Sequence, residues 1–141
     1  MCNLLKVDRQ NLLQTLKINP IGRIEGDNIL ISEAKEVMDD DSIVYYTRLY
    51  NMTRVVLLEM DHFESVWDET AKHMKKLLPK PSFSIAVHCV SRFRLIKQEG
   101  KFDEFTNRLC SMLGKYIGVS GYGEQIMFNS LNQSLVLICF E

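Results

Sequence analysis

The sequence predicts an α+β fold: a mostly antiparallel sheet with two packed helices and a short N-terminal helix, in the order α-β-β-β-α-β-α-β-β. Three observations predict it. Short apolar runs bounded by turn residues come in succession, as hairpins do. Two segments, one from Asp61 and one from Lys101, repeat apolar residues at helical spacing. The strands sit beside one another in sequence and flank the helices, which is not the strict alternation of a doubly wound parallel sheet. At 141 residues the chain reads as one domain, 1–141. That length is enough to bury roughly 68% of the unfolded surface without a disulfide or metal staple.

Asp8 stands where a cap would for a first helix carrying Leu12, Leu13 and Leu16, which must stop before Pro20. Its leucines are candidates to cover a neighbour rather than their own core. Asn28 to Ser32 is a first apolar strand, Ser42 to Leu49 a second, rich in Val and Tyr, and Thr53 to Met60 a third. Asp61 with Glu64 three residues later resembles a capping box. Phe63, Val66, Trp67, Thr70, Ala71, Met74, Leu77 and Leu78 then follow at helical spacing up to Pro79 and Pro81.

Ser82 to Val90 reads as a fully buried strand, with Phe83, Ile85, Val87 and Cys89 on one face and Ala86 and Val90 on the other. Lys101 to Leu113 is the second long helix, closed by Gly114. Tyr116 to Met127, broken by glycines, and Ser134 to Phe140 finish the sheet.

A formal net charge of −1 argues against a nucleic-acid surface or a polybasic membrane surface, both of which need clustered excess Lys and Arg. No apolar run approaches the ~18 residues of a membrane span, and no secretory leader is evident. Cys2, Cys89, Cys110 and Cys139 lack C-x-x-C spacing, and three fall in apolar patterns where a thiol packs as a small hydrophobe. Reduced thiols and a cytoplasmic setting are therefore expected. The N-x-Ser/Thr matches at Asn51 and Asn132 are then coincidental.

Metal is not expected, since structural zinc announces itself by close Cys or His pairs. His62 and His73 are too far apart along one helix to share an ion, and read as surface residues. His88 and Cys89, adjacent on a strand, point to opposite faces and cannot form a catalytic pair. Cys89 remains a candidate nucleophile, its thiolate favoured by Arg92, with a base drawn from elsewhere. A buried, unreactive cysteine is the commoner outcome.

Gly118, Gly121 and Gly123 fall within six residues of an apolar strand. Phosphate-cradling loops open a helix, whereas here a turn and another strand follow, so the nucleotide reading fails on context. Two readings remain: distortion of the strand for packing, or room beside the sheet for a small ligand. Glu124, directly after the glycine break, suits an amine, and Arg92 suits a carboxylate or pairs with Glu124. Asn132 and Ser134 are ordinary turn formers at the entry to the last strand. Tyr45, Tyr46 and Tyr50 read as strand packing rather than as a stacking platform.

The series Cys89-Val90-Ser91-Arg92, Gly118-Val119-Ser120-Gly121-Tyr122-Gly123-Glu124 and Asn132-Gln133-Ser134-Leu135 resembles the C-terminal half of the FIST sensory domain. Upstream, Ile21-Gly22-Arg23, the short strands, and Val55 to Leu78 also fit. The resemblance covers nearly the whole chain, though its last third is the distinctive part. It implies a cytoplasmic input module of bacterial signal transduction, chemotaxis included, that binds a small ligand such as an amino acid or organic acid. The chain departs from the family at Val90-Ser91, where a small residue and glycine are usual, and at Ser134, where threonine is usual.

The expected function is thus a non-enzymatic sensor without a cofactor. Its ligand sits at Arg92 and Glu124, oriented by Asn132 and lined by Cys89, Tyr122 and Gly123. Expected partners are the amino acid-like ligand and the N-terminal FIST half or an output domain, with no nucleic acid and no membrane insertion. The alternatives are an interaction module, including a homodimer, and a Cys89-dependent hydrolase.

Overall fold

The computed structural model describes residues 1–61, 63–126 and 128–141. In chain order its elements begin with α1 (Cys2–Leu5), α2 (Arg9–Ile18), β1 (Ile21–Glu25), β2 (Asn28–Ser32), β3 (Ala34–Val37), β4 (Ile43–Tyr45) and β5 (Val55–Leu57). They continue with α3 (Phe63–Leu77), β6 (Phe83–Cys89), α4 (Val90–Gln98), α5 (Phe102–Leu113), β7 (Tyr116–Gly121), β8 (Glu124–Ile126), β9 (Asn129–Leu131) and β10 (Leu135–Phe140). Mixed helices and predominantly antiparallel strands make this the α+β fold that the sequence predicts.

The chain forms two compact units, and both are discontinuous in sequence. The first takes Met1–Met60 and Gln125–Asn132, the second Asp61–Glu124 and Gln133–Glu141.

In the first unit β1 pairs antiparallel with β2 on one side and with β5 on the other, while β3 and β4 form a separate antiparallel pair. Leu12 and Leu16, one helical turn apart on α2, are buried against Ala34 of β3. That corrects the expectation that the leucines of this helix cover a neighbour, because they close the core of their own unit. Asp8 does occupy the N-cap position of α2, but makes no side-chain capping bond. The strand expected from Ser42 to Leu49 is shorter, and α1, β1, β3 and β9 fall where the sequence predicts no element.

The second unit is a three-stranded sheet in the order β10-β6-β7, with β10 antiparallel and β7 parallel to β6. One face carries the helices. Trp67 of α3, Ala86 of β6, Ile96 of α4, and Phe105, Leu109, Met112 and Leu113 of α5 form its core. α3 matches its periodicity, and the capping box expected at its start involves the junction at His62, which lies outside the described residues. Met127, the expected end of the glycine-broken strand, lies outside them too.

Three readings are corrected in this unit. The strand ends at Cys89, and Val90–Gln98 is a helix rather than strand and loop. β6 buries Ser84, Ala86 and His88, while Phe83, Ile85 and Val87 are only partly covered, so the strand is not enclosed on both faces. The third concerns the thiols: all four cysteines are free, and Cys110, expected to pack, is exposed.

Candidate functional site

The switch from β6 to α4 sets the geometry of the site. Cys89 ends the strand with extended backbone (φ −61°, ψ 129°) and is the N-cap residue of α4, which places Arg92 in the first helical turn. The thiol makes no capping bond, and the backbone amide of Cys89 donates to the carbonyl of Ser134 at the start of β10. The first amides of a helix have no intrahelical acceptor, so this end of α4 carries a positive field to which Arg92 adds.

Arg92 lies back over the helical layer. Its guanidinium carbon stands 5.0 Å from the centre of the Phe105 ring, and Nη1 is 3.5 Å from His88 Nδ1. Arginine can only donate, so Nδ1 accepts and the imidazole proton sits on Nε2. The His88 ring meets Phe105 edge-on at 5.0 Å and Phe93 at 6.4 Å. Burial, and then the charge of Arg92, push the His88 pKa down to about 4, so the ring is neutral at ordinary pH. Burial also lowers the pKa of Arg92, while the negative forms of Cys89 and Glu124 pull it back up.

Glu124 follows Gly123, whose φ of 139° lies in a region that L side chains rarely adopt. One oxygen, Oε2, accepts the Ser134 hydroxyl. The other, Oε1, is buried and has no hydrogen-bond partner among the described residues. Among the described residues no ion pair joins Glu124 to Arg92, although the charge of Glu124 acts on Arg92. A buried carboxylate oxygen without a donor is costly, by about 1–3 kcal/mol or more for a charged group.

Cys89, Arg92 and Glu124 are thus brought together by α4 and the end of the glycine-broken segment. Cys89 is fully buried, and its thiol makes no hydrogen bond among the described residues. Tyr122, expected as lining, is 90% exposed. Asn132 belongs to the first unit, where its Oδ1 accepts the backbone amide of Glu33. Spacing along the chain missed His88 and Ser134 as partners of the two charges. His88 sits on β6 and Arg92 in the first turn of α4, so neither the strand period nor the helical period relates them, and the turn from strand to helix brings them together.

The first unit holds a second polar cluster. Arg23, almost fully buried, donates from Nη2 to the carbonyl of Ser130 at 3.0 Å and pairs through Nη1 with Glu25 at 3.2 Å. The Thr47 hydroxyl donates to Ser32 Oγ at 2.6 Å. These contacts tie β9 and the segment after β4 to the β1–β2 hairpin. Among the described residues no group of three or more His, Cys, Asp or Glu side chains could hold a metal ion. No helix there is long and apolar enough to cross a membrane.

A family model described as the FIST C domain matches residues 1–127. The matched segment includes Cys89, Arg92 and Glu124, while Asn132 to Leu135 lie beyond it. No curated protein and no solved structure matches the chain.

Proposed function

Because the chain belongs to the FIST C domain family of sensory-type modules in signal transduction, we propose that it is a small-ligand sensor whose site is the Arg92–Glu124 pair. The observation that carries this reading is Glu124 Oε1, buried and without a donor among the described residues, near an arginine whose side chain makes a weak polar contact with a neutral histidine. A ligand bearing both an ammonium and a carboxylate satisfies both groups. The carboxylate takes the guanidinium and the field of the α4 N-terminus, and the ammonium takes Oε1. Amino acids meet this requirement, and small organic acids meet half of it.

Cys89 closes the floor of the site, Gly123 aims Glu124, and Tyr122 stands at its rim. Asn132, held in the first unit by Glu33, takes no part. On this reading the module performs no chemistry and needs no cofactor. It serves cytoplasmic bacterial signalling, chemotaxis among its settings, by passing occupancy to an N-terminal FIST half or an output domain.

A thermal-shift screen over amino acids and small organic acids tests the proposal. A ligand at 100 times its dissociation constant adds about 2.7 kcal/mol of stability. Arg92→Met abolishes the shift from both classes, and Glu124→Gln weakens amino acids more than organic acids. Absence of a shift with every compound, or an Arg92→Met variant that keeps it, overturns the assignment.

A further inference from the structure

The strand order β10-β6-β7 brings three strand ends to one edge of the second unit. β6 ends at Cys89, which stands in parallel register with Gly121, the last residue of β7. β10 runs the other way and so begins at that same edge, with Leu135 opposite His88. Glu124, just past the end of β7, and Ser134, just before β10, therefore meet from opposite sides of β6, where α4 and Arg92 set out. Each follows a residue with positive φ, Gly123 at 139° and Gln133 at 55°, a backbone that L residues seldom adopt. The main chain of Ser134 is fixed as well, since its carbonyl accepts the amide of Cys89 at 3.0 Å.

Opposite charges in a partly buried region attract more strongly than in water, and an arginine–carboxylate fork is the strongest contact open to either group. Here the fork is not made. The charge of Glu124 acts on Arg92, yet among the described residues no ion pair joins them. Oε2 is taken by the Ser134 hydroxyl, while Arg92 lies on the Phe105 ring with Nη1 toward His88. We infer that Ser134 is a positioning residue of the Arg92–Glu124 site: its hydroxyl holds the carboxylate off the guanidinium, so that both charges remain available to a ligand. The inference rests on the sensor reading of that pair and adds what keeps the pair from closing on itself.

A self-paired site binds only through the fraction of molecules in which the pair is broken, and apparent affinity falls by that fraction. Pairing that leaves about one molecule in ten open raises the apparent dissociation constant about tenfold. Amino acids and organic acids lose alike, because the internal pair occupies Arg92 as well as Glu124. That separates Ser134 from Glu124 itself, whose loss falls mainly on the amine.

A double-mutant cycle on the folding equilibrium tests the inference without any ligand. In the native background Arg92→Met and Glu124→Gln are close to additive, and in a Ser134→Ala background they couple by about tenfold in the folding equilibrium constant. Ser134→Thr keeps the hydroxyl and keeps the additivity. Equal coupling in the native and Ser134→Ala backgrounds overturns the inference, even where Ser134→Ala has lost binding, because a merely structural role does that. So does a Ser134→Thr variant that couples as Ser134→Ala does. Thermal-shift titrations with the amino acids and with acetate give the second arm. Ser134→Ala raises the apparent dissociation constant of every compound that shifts the wild type by about tenfold, and Ser134→Thr leaves it near the wild-type value. A wild type that no compound shifts overturns the sensor reading and this inference together. A wild type that shifts, beside a Ser134→Ala variant with the same apparent constants, overturns this inference alone.

Discussion

His88 Nδ1 lies 3.5 Å from Arg92 Nη1, and the imidazole can accept that proton only while it is neutral. Protonation would set two cations side by side against the Phe105 ring. The first prediction follows from the pKa of His88, pushed down to about 4 in the fold and near 6.5 in the unfolded chain. Between those values the unfolded chain binds a proton that the folded one refuses. The contribution of His88 is therefore complete above about pH 6.5 and is lost as pH falls toward about 4, with a slope of at most ~1.4 kcal/mol per pH unit. Urea denaturation from about pH 8 to about pH 4 shows that loss, and His88→Gln flattens it while keeping an acceptor for Arg92.

Two of the three glycines of the broken strand will separate by mutation. Gly123 has φ 139°, so Gly123→Ala forces a strained backbone and costs about 1–3 kcal/mol. A methyl group at Gly118 would meet only Tyr116 Cε2, at an ordinary 3.5 Å. Gly118→Ala is then neutral, or stabilising by up to about 1 kcal/mol through the unfolded state. Paired thermal melts of the two variants decide it.

Asn132→Ala leaves the buried amide of Glu33 without its acceptor and should destabilise by about 1–3 kcal/mol. Ser130→Ala, two residues earlier, should be silent, because Arg23 bonds to the main-chain carbonyl there and not to the hydroxyl. Guanidinium titrations of both variants at neutral pH measure the difference.

Phe105 supports three groups at once. Its ring meets Trp67 at 5.3 Å, His88 at 5.0 Å and the Arg92 cation at 5.0 Å. Phe105→Ala should cost about 3–5 kcal/mol, the range for deleting a core aromatic ring. Arg108, which pairs at the surface with Glu104 of the same helix and with Asp68 of α3, should cost less than about 1 kcal/mol when replaced by Ala. Chemical denaturation of the two variants tests whether the ring or the ion pairs hold α5 in place.

Elements with a strong period were legible in the sequence. α3 and α5 fall within a residue or two of their expected bounds, because one apolar stripe repeats through each. α4 was hidden because Cys89-Val90 continues the apolar run of the strand, and Ile96 is the one residue of that helix that is fully buried. Sequence reading also placed the face of β6 wrongly. It assigned the bulky Phe83, Ile85 and Val87 to the interior, whereas the helices pack on Ser84, Ala86 and His88, small side chains that admit them closely and a ring that joins their aromatic cluster.

Of the site, Arg92, Cys89 and Glu124 were found together because a strand end and a glycine break both mark the same edge of the sheet. Asn132 could not be placed by spacing. The chain leaves the second unit after Glu124 and returns at Gln133, and nothing local in the sequence marks either crossing.

That double crossing governs the order in which a ribosome can complete the two units. The first unit needs Asn132, and the second needs β10, whose Phe140 pairs with Phe83. At about 5–20 residues per second, the interval between those two pairing residues is roughly 3–11 s of synthesis. For that time β6 has emerged without one of its neighbours, and the early hairpins lack their closing segment. A nascent chain that has not reached Asn132 holds neither unit complete, and one that stops between Asn132 and Leu135 has every residue of the first unit but not the β10 strand of the second.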